Sequence, residues 1–576
     1  MHKILRINMS DLSVKTEEVP VAWAGYGGRA LTSTIVAAEV PPTCHPLGPN
    51  NKLVFAPGLL TGTVASNSGR LSVGSKSPLT GGIKESNAGG TSAQIIAKLG
   101  IKALIIEGLP ADDKWRGIYI DKDGARIEEE TELIGMGNFA AVQVLNNRIS
   151  KSAGVIILGP AGEMKMLTSN ISVKDPDSHL RSHGRGGLGA VMGSKKIKFI
   201  AIDPTGAQPM KIADPVKFKA AGMAFTKFLL NHPVSGQGLK TYGTDILVNV
   251  LNEAGGLPTH NFTTGQSLNA ESISGETMYA NIIKREGKPS HGCHPGCVIQ
   301  CSQVYNDAEG KYLTSGFEYE TIWALGANAD VKDLDQIAKA DYIMDDLGLD
   351  SIETSVMFGV AMEAGVLHWG DGTEIIRILK DEIGKGTPLG RVLGAGTGAV
   401  GRAYGVTRVP VVKNQAIPAY DPRSVKGIGI TYATTPMGAD HTAGYTIATN
   451  ILGVGGHVDP LKKEGQIDLS RNLQIATAAV DSTGMCLFIA FPVLDDAACL
   501  QALIDLINAR YGIALTGDDV VGLGMYVLKT EHQFNLDAGF TNKDDRLPEF
   551  FTLERLAPHN AIWDFTGPEI DTFWNF

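Results

Sequence analysis

Three cysteines fall within one short segment: Cys293, Cys297 and Cys301 in His-Gly-Cys-His-Pro-Gly-Cys-Val-Ile-Gln-Cys. A fourth, Cys486, comes far downstream in Asp-Ser-Thr-Gly-Met-Cys. If the four serve one site, the fold must bring these distant segments together, and few chain paths do so. Three clustered thiolates with one remote thiolate commonly hold a [4Fe–4S] cluster. Gly292, Pro295 and Gly296 oppose a regular helix at the start of the segment, so the expectation is a loop entering a helix. Two other readings stay open. Zinc would take His291 or His294 with the cysteines, or the thiols are simply buried and inert.

The 576 residues suggest about three or four domains. Charged residues are 19%, below the usual ~25%, and glycine is 69 of 576, about 12% against ~7%. Low charge points to much buried surface, and abundant glycine to tight turns and close approach of backbone to ligand. A net charge of −10 disfavours nucleic acid as a partner. The basic run Ser194-Lys195-Lys196-Ile197-Lys198 reads as a solvated strand end. The first eight residues alternate and then turn polar, with no apolar region of a secretory signal. No apolar run approaches the ~18 residues of a membrane span. The expectation is a cytoplasmic protein that makes no use of a membrane.

The predicted class is α+β. Residues 1–205 read as a strand-rich region, with runs such as 52–55, 103–106 and 154–158 between Gly/Pro turns. Segments 61–92 and 182–194 read as long ligand-facing loops. Residues 206–410 read as mainly helical, starting at Asp214-Pro215-Val216 and including 333–347 and 351–366. Residues 411–576 form a third, mainly helical region, with helices around 470–480 and 496–510. Asp345-Asp346-Leu347-Gly348-Leu349-Asp350 and Asp481-Ser482-Thr483-Gly484-Met485-Cys486 echo one another, each after a predicted helix. Glycine there suits a helix end followed by a turn.

Other residue sets carry chemistry. Arg70, the Asn87-Ala88-Gly89 loop and Gly184-Arg185-Gly186-Gly187-Leu188-Gly189 offer backbone amides and guanidinium forks to phosphate. Asn87 could supply an oxygen to a hard cation such as Mg²⁺. The 184–189 run fits G-x-G-x-x-G, but no β-α-β unit with a following acid supports a dinucleotide site. Glu318, Glu320 and His441 are acid–base candidates.

Taken in order along the chain, these motifs resemble the tungsten-containing aldehyde:ferredoxin oxidoreductases. Ser75-Lys76-Ser77-Pro78, Gly189 to Lys195, Ala419-Tyr420-Asp421-Pro422-Arg423 and Tyr432-Ala433-Thr434-Thr435-Pro436 extend the likeness. The resemblance implies a bis-pterin tungsten cofactor buried between the domains, beside a [4Fe–4S] cluster on Cys293, Cys297, Cys301 and Cys486. It implies pterin contacts at Asp345, Leu349, Asp350, Asp481, Met485 and Cys486, and at Arg70, Asn87, Gly89, Arg185 and Gly186. Asn87 and Gly186 would hold Mg²⁺, and Glu320 and His441 would handle protons. Substrates would be aldehydes or carboxylic acids, with ferredoxin or a ferredoxin-like subunit as electron partner; an oligomer is allowed. The alternative it implies is the catalytic subunit of a tungsten-dependent benzoyl-CoA reductase. The cysteine spacing is C-x₃-C-x₃-C where many members have C-x₂-C-x₃-C. No Glu-x-x-His motif of the kind that binds interface iron in some relatives is present. Met437 and Ala443 stand where some relatives carry basic cofactor contacts.

Overall fold

The computed structural model describes residues 2–576. Its N-terminal part is two six-stranded sheets. The first runs in the order Ser13–Glu18, Lys3–Asn8, Ile101–Glu107, Leu53–Pro57, Leu71–Lys76, Ile83–Ala88. The second runs Leu180–His183, Ile171–Lys174, Gly154–Ile157, Ile197–Ile202, Arg116–Asp121, Gly124–Glu129. Pairing is antiparallel except between Lys3–Asn8 and Ile101–Glu107, and between Ile197–Ile202 and Arg116–Asp121.

Two-residue alternation decides the layering. Leu5, Ile7, Leu104 and Ile106 join Ile118, Ile156 and Val173 of the second sheet in one core, so the sheets pack face to face. Ile4, Ala103 and Ile105 point the other way, onto Leu31 and Ile35 of helix Gly28–Glu39. Val155 and Ile157 cover Ala141 and Leu145 of helix Asn138–Arg148. The remainder is mainly helical, with one three-stranded sheet, Lys288–His291, Ser302–Asn306 and Tyr312–Ser315. A single large core draws residues from Ala161 to Phe573, so packing is continuous across residue 410. Among the described residues no helix is long and apolar enough to cross a membrane.

The expected helix starts and ends are present: Asp214 accepts from Lys217 N–H at the head of Pro215–Asn231, and helices cover Leu334–Leu347, Ser351–Glu363, Gln466–Thr483 and Ala497–Tyr511. Four local expectations are corrected. Segment 61–92 contains a paired hairpin, Leu71–Lys76 with Ile83–Ala88. Gly74 sits in it because a Cβ there would come within 2.7 Å of Thr32 Cβ on the covering helix. Segment 182–194 is a strand end followed by helix Leu188–Ser194. The cysteines do not enter a helix; they bridge the antiparallel strands Lys288–His291 and Ser302–Asn306. Pro295 removes a backbone donor, and Gly296 and Gln300 take φ of +83° and +54°, which no α-helical run accepts. The basic run at 194–198 is largely buried, Lys196 alone of its lysines staying partly exposed. Lys198 is fully buried on the interior strand Ile197–Ile202, and Lys195 is fully buried where helix Leu188–Ser194 ends. Lys195 Nζ donates to the carbonyls of Asn51 (2.7 Å) and Gly108 (3.1 Å). Lys198 donates to the Met136 carbonyl and Glu163.

Candidate active site

The two echoing loops are built alike. Each helix stops on a left-handed glycine, Gly348 at φ +73° and Gly484 at φ +79°, which closes the last turn and sends the chain away from the helix. Each loop is then tied to a different N-terminal sheet. Asn170 N–H donates to Gly348 O (2.8 Å), Asp350 N–H to Thr168 O (2.7 Å) and Asn138 Nδ2 to Asp345 O (2.9 Å). On the other side Leu59 N–H donates to Ser482 O (3.1 Å), Leu60 N–H to Thr483 O (2.9 Å) and Arg70 N–H to Gly484 O (3.0 Å). Asp350 Oδ1 also caps the next helix, accepting from Ile352 and Glu353 N–H. A Cβ at position 484 would sit 2.2 Å from Thr61 Oγ1. Gly484→Ala is therefore expected to lower stability by about 1–3 kcal/mol, read as a lower denaturant midpoint with unchanged slope.

The cysteines converge. The ligand atoms of Cys293, His294 and Cys297 lie within 4.8 Å of one another. Cys293, Cys301 and Cys486 line one cavity of about 560 Å³. Gly90 N–H donates to Cys293 O (2.8 Å), and a side chain at Gly89 would reach within 2.9 Å of Cys293 Sγ. No cysteine is in a disulfide. Four sulfurs are a soft donor set of the kind that holds an iron–sulfur cluster. His294 Nδ1 lies 3.2 Å from Cys293 Sγ, so a Cys/His zinc set has the same geometry available to it.

Arg70, Asn87, Gly89, Arg185, Asp345, Leu349, Asp350, Asp481, Glu320 and His441 line the same cavity; Cys297, Gly186 and Met485 do not. Arg185 is held by Asp350 (3.3 Å) and by the carbonyls of Ala439 (2.7 Å) and Ala416 (2.8 Å). Asn87 Nδ2 donates to Asp481 Oδ1 (3.2 Å). Gly186 O accepts from Ser77 Oγ (2.7 Å). Arg70 Nε, Glu320 Oε1 and His441 Nδ1 are buried with no protein hydrogen-bond partner. Buried polar atoms in native proteins are paired, so these lining groups are suited to a polar ligand. In size the cavity suits a cofactor.

Glu320 and His441 meet in its wall, with Nε2 3.2 Å from Oε1. Glu320 lies in the first turn of helix Tyr319–Leu325, and its Oε2 accepts from Ala419 N–H at 3.1 Å. Burial pushes the Glu320 carboxyl up to about 8 and the His441 imidazole down to about 4. At neutral pH the carboxyl therefore carries the proton and the imidazole is neutral. Asp440 fixes the histidine's turn by accepting from Thr442 N–H (3.1 Å) and Oγ1 (2.8 Å), and its Oδ2 accepts from buried Lys84 (3.0 Å). Burial would raise Asp440, but Lys84 and then Arg185 hold it below the usual carboxylate range. The Tyr420 and Tyr445 rings lie 5.7 and 6.2 Å from the His441 ring, their hydroxyls 3.1 Å apart. Tyr319, Phe488 and Phe491 continue this aromatic wall.

Sequence reasoning missed Lys84, Asp440, Arg29 and Asn67. Arg29 binds Glu531 and Asp481 from hundreds of residues away. The only signal for Asn67 was its place in the Ser-Asn-Ser-Gly-Arg turn.

Residues 4–204 match the family described as aldehyde ferredoxin oxidoreductase, N-terminal domain, and 220–565 match its domains 2 and 3. Tungsten-containing aldehyde ferredoxin oxidoreductases of Pyrococcus furiosus and Thermococcus kodakarensis are each 36% identical, over 96% of this chain and 92% of theirs. An aliphatic sulfonate oxidoreductase, WOR-like subunit, of Pyrococcus furiosus is 24% identical over 95% of this chain and 89% of its own. The fold also matches the active-site complex BamBC of benzoyl coenzyme A reductase with 1,5-dienoyl-CoA. That match has a TM-score of 0.79 and 17% identity, over 100% of this chain and 93% of that one. With matched regions that include the cysteines, both echoing loops and the Glu320–His441 pair, the chain belongs to the aldehyde ferredoxin oxidoreductase family.

Proposed function

We propose that this enzyme interconverts aldehydes and carboxylic acids at a tungsten bis-pterin cofactor. Cys293, Cys297, Cys301 and Cys486 would hold a [4Fe–4S] cluster, which would supply the electron exit to ferredoxin or a ferredoxin-like subunit in the cytoplasm. Residues 1–205 cradle the cofactor, while 206–410 and 411–576 each bring one pterin loop. Asp345, Leu349 and Asp350 would hold one pterin, and Asp481, Met485 and Cys486 the other. Arg70, Asn87, Gly89, Arg185 and Gly186 would meet the phosphates, with Mg²⁺ beside Asn87 and Gly186. The observation that carries the reading is the Glu320–His441 pair, 3.2 Å apart in the cavity that three of the cysteines and both aspartate loops also line.

When bound, the tungsten–pterin group supplies two-electron redox chemistry and the cluster a one-electron exit. The protein supplies position and protons. Oxidation of an aldehyde takes its oxygen from water and yields the acid, two protons and two electrons, the electrons passing to the redox group and on to the electron partner. Glu320, as carboxylate, accepts a proton from water or substrate, and in the reverse direction returns it. His441, neutral, has Nδ1 free of any protein partner for a hydrogen bond at the substrate oxygen. The aromatic wall of Tyr319, Tyr420, Tyr445, Phe488 and Phe491 suits an uncharged substrate body.

The test is dye reduction under anaerobic conditions. Aldehyde should reduce benzyl viologen, and 1,5-dienoyl-CoA should not. The opposite pattern would transfer the assignment to the acyl-CoA chemistry named for the structural neighbour. The pH profile carries a second prediction. Because Glu320 is pushed up to about 8, kcat/KM for aldehyde oxidation should rise about tenfold per pH unit and level off near pH 8.

A further inference from the structure

We propose that Asn67 is a positioning residue for the iron–sulfur site, locking the three-cysteine segment to Cys486 and tuning the cluster's potential through a hydrogen bond to Cys297. The inference rests on the reading that these cysteines hold a [4Fe–4S] cluster.

Asn67 is fully buried and takes φ +61°, a left-handed conformation that asparagine tolerates better than most residues. All four of its polar groups are engaged. Its N–H donates to Gly296 O at 3.0 Å, between the second and first cysteines of the segment. Its carbonyl accepts from Cys486 N–H at 2.9 Å. Its Oδ1 accepts from Val298 N–H at 3.0 Å. Its Nδ2 points to Cys297 Sγ at 3.7 Å, within reach of an N–H···S bond. The backbone thus ties Cys486 to the loop carrying Cys293 and Cys297, and the side chain both braces that loop and touches one sulfur. Gln300 N–H is the other donor to this sulfur, at 3.4 Å. Asn67 lies on neither cysteine segment, so it is the splint between them. The next glycine supports the arrangement, since a Cβ at Gly69 would strike His294 Cδ2 at 2.3 Å.

Hydrogen bonds to cluster sulfurs, net charge and exposure are the levers by which a protein sets a cluster's potential. A donor to a thiolate sulfur favours the reduced, more negative cluster and so raises the potential. Removing the donor lowers it. Replacing the donor with a carboxylate lowers it further.

Two substitutions separate the roles. Asn67→Gly keeps φ > 0 and both backbone ties but deletes the brace and the N–H···S donor. Asn67→Asp keeps the shape and the acceptor for Val298 but replaces the donor with a negative oxygen. The measurement is an EPR-monitored redox titration of the anaerobically purified holoenzyme, with iron content determined on the same samples and folding checked by circular dichroism. The expected result is a lower midpoint potential in Asn67→Gly, and a lower one still in any Asn67→Asp that retains iron. Loss of iron from a folded Asn67→Gly protein would also support the positioning role. Full iron content in Asn67→Gly at the wild-type potential would overturn the proposal. A wild-type protein with no iron–sulfur signal would instead remove the cluster reading beneath it, so the two failures are distinguishable.

Discussion

Glu320→Gln is expected to lower kcat for aldehyde oxidation by about 10²–10⁴-fold, the range a positioned acid–base group contributes, while leaving tungsten and iron content intact. The amide keeps the size of the side chain, so the acceptor for Ala419 N–H at 3.1 Å survives in shape. What is lost is a group that changes charge in the working range, because burial places this carboxyl at about 8. His441 cannot replace it, since burial holds its imidazole down to about 4. The variant should therefore lose the rising limb of the pH profile as well as the rate. Glu318 is the internal control. It lies half-buried two residues away, but its Oε2 accepts from Thr244 Oγ1 at 2.6 Å, outside the histidine pair. Glu318→Gln should keep the limb near pH 8. Steady-state kinetics across pH with metal analysis checks both, and a metal-replete Glu320→Gln protein turning over near the wild-type rate would remove Glu320 from the mechanism.

Arg29→Met is expected to destabilise the fold by about 3–5 kcal/mol, the cost of breaking a buried ion pair from one side. Arg29 on helix Gly28–Glu39 reaches Glu531 through two bonds of 2.9 and 2.8 Å and Asp481 at 3.2 Å. Glu531 Oε1 also accepts from Ser33 Oγ at 2.8 Å. The arginine thus joins the N-terminal sheet layer to helices Gln466–Thr483 and Gly517–Asp537 behind the second aspartate loop. Removing it leaves Glu531, Asp481 and nearby Glu85 without their shared cation. Glu85 is already pushed up to about 8, by burial first and then by Asp481. A carboxyl with a raised folded-state pKa holds a proton that the unfolded chain has released, so its contribution to stability falls as pH rises from about 4.5 toward 8. Arg29 pulls both Asp481 and Glu85 down against their burial, so without it both are pushed further up and the deficit should be larger at pH 8 than at pH 6. Urea melts at the two pH values check the sign; an equal deficit at both would show that the lost contacts are apolar rather than ionic.

Local chemistry was legible in the chain and long-range electrostatics was not. The Asp-x-x-Gly pair could be read because a left-handed glycine after a helix is a local device, and Gly348 and Gly484 are such glycines. Asp214 before Pro215 worked for the same reason. The hairpin inside 61–92 escaped because Leu-Ser-Val-Gly-Ser-Lys lacks the β-branched run of a strand; its glycine answers to Thr32 on a packed helix. Lys195 and Lys198 read as solvated because burial of a lysine depends on carbonyls from elsewhere, such as Asn51 and Met136. Grouping Glu320 with His441 came from family resemblance, and the 3.2 Å approach is a fact of tertiary structure alone. Asn67 shows the limit most clearly. Its partners are Gly296, Cys297, Val298 and Cys486, and no neighbour in sequence announces them.

On the proposed reading, one cavity joins a tungsten–pterin site to a cluster held by four cysteines. Elemental analysis of the anaerobically purified protein tests it most directly. The expected result is tungsten together with about four iron per chain and little zinc. Zinc without iron, on a Cys293–His294–Cys297 set, or iron with neither tungsten nor molybdenum, would contradict it.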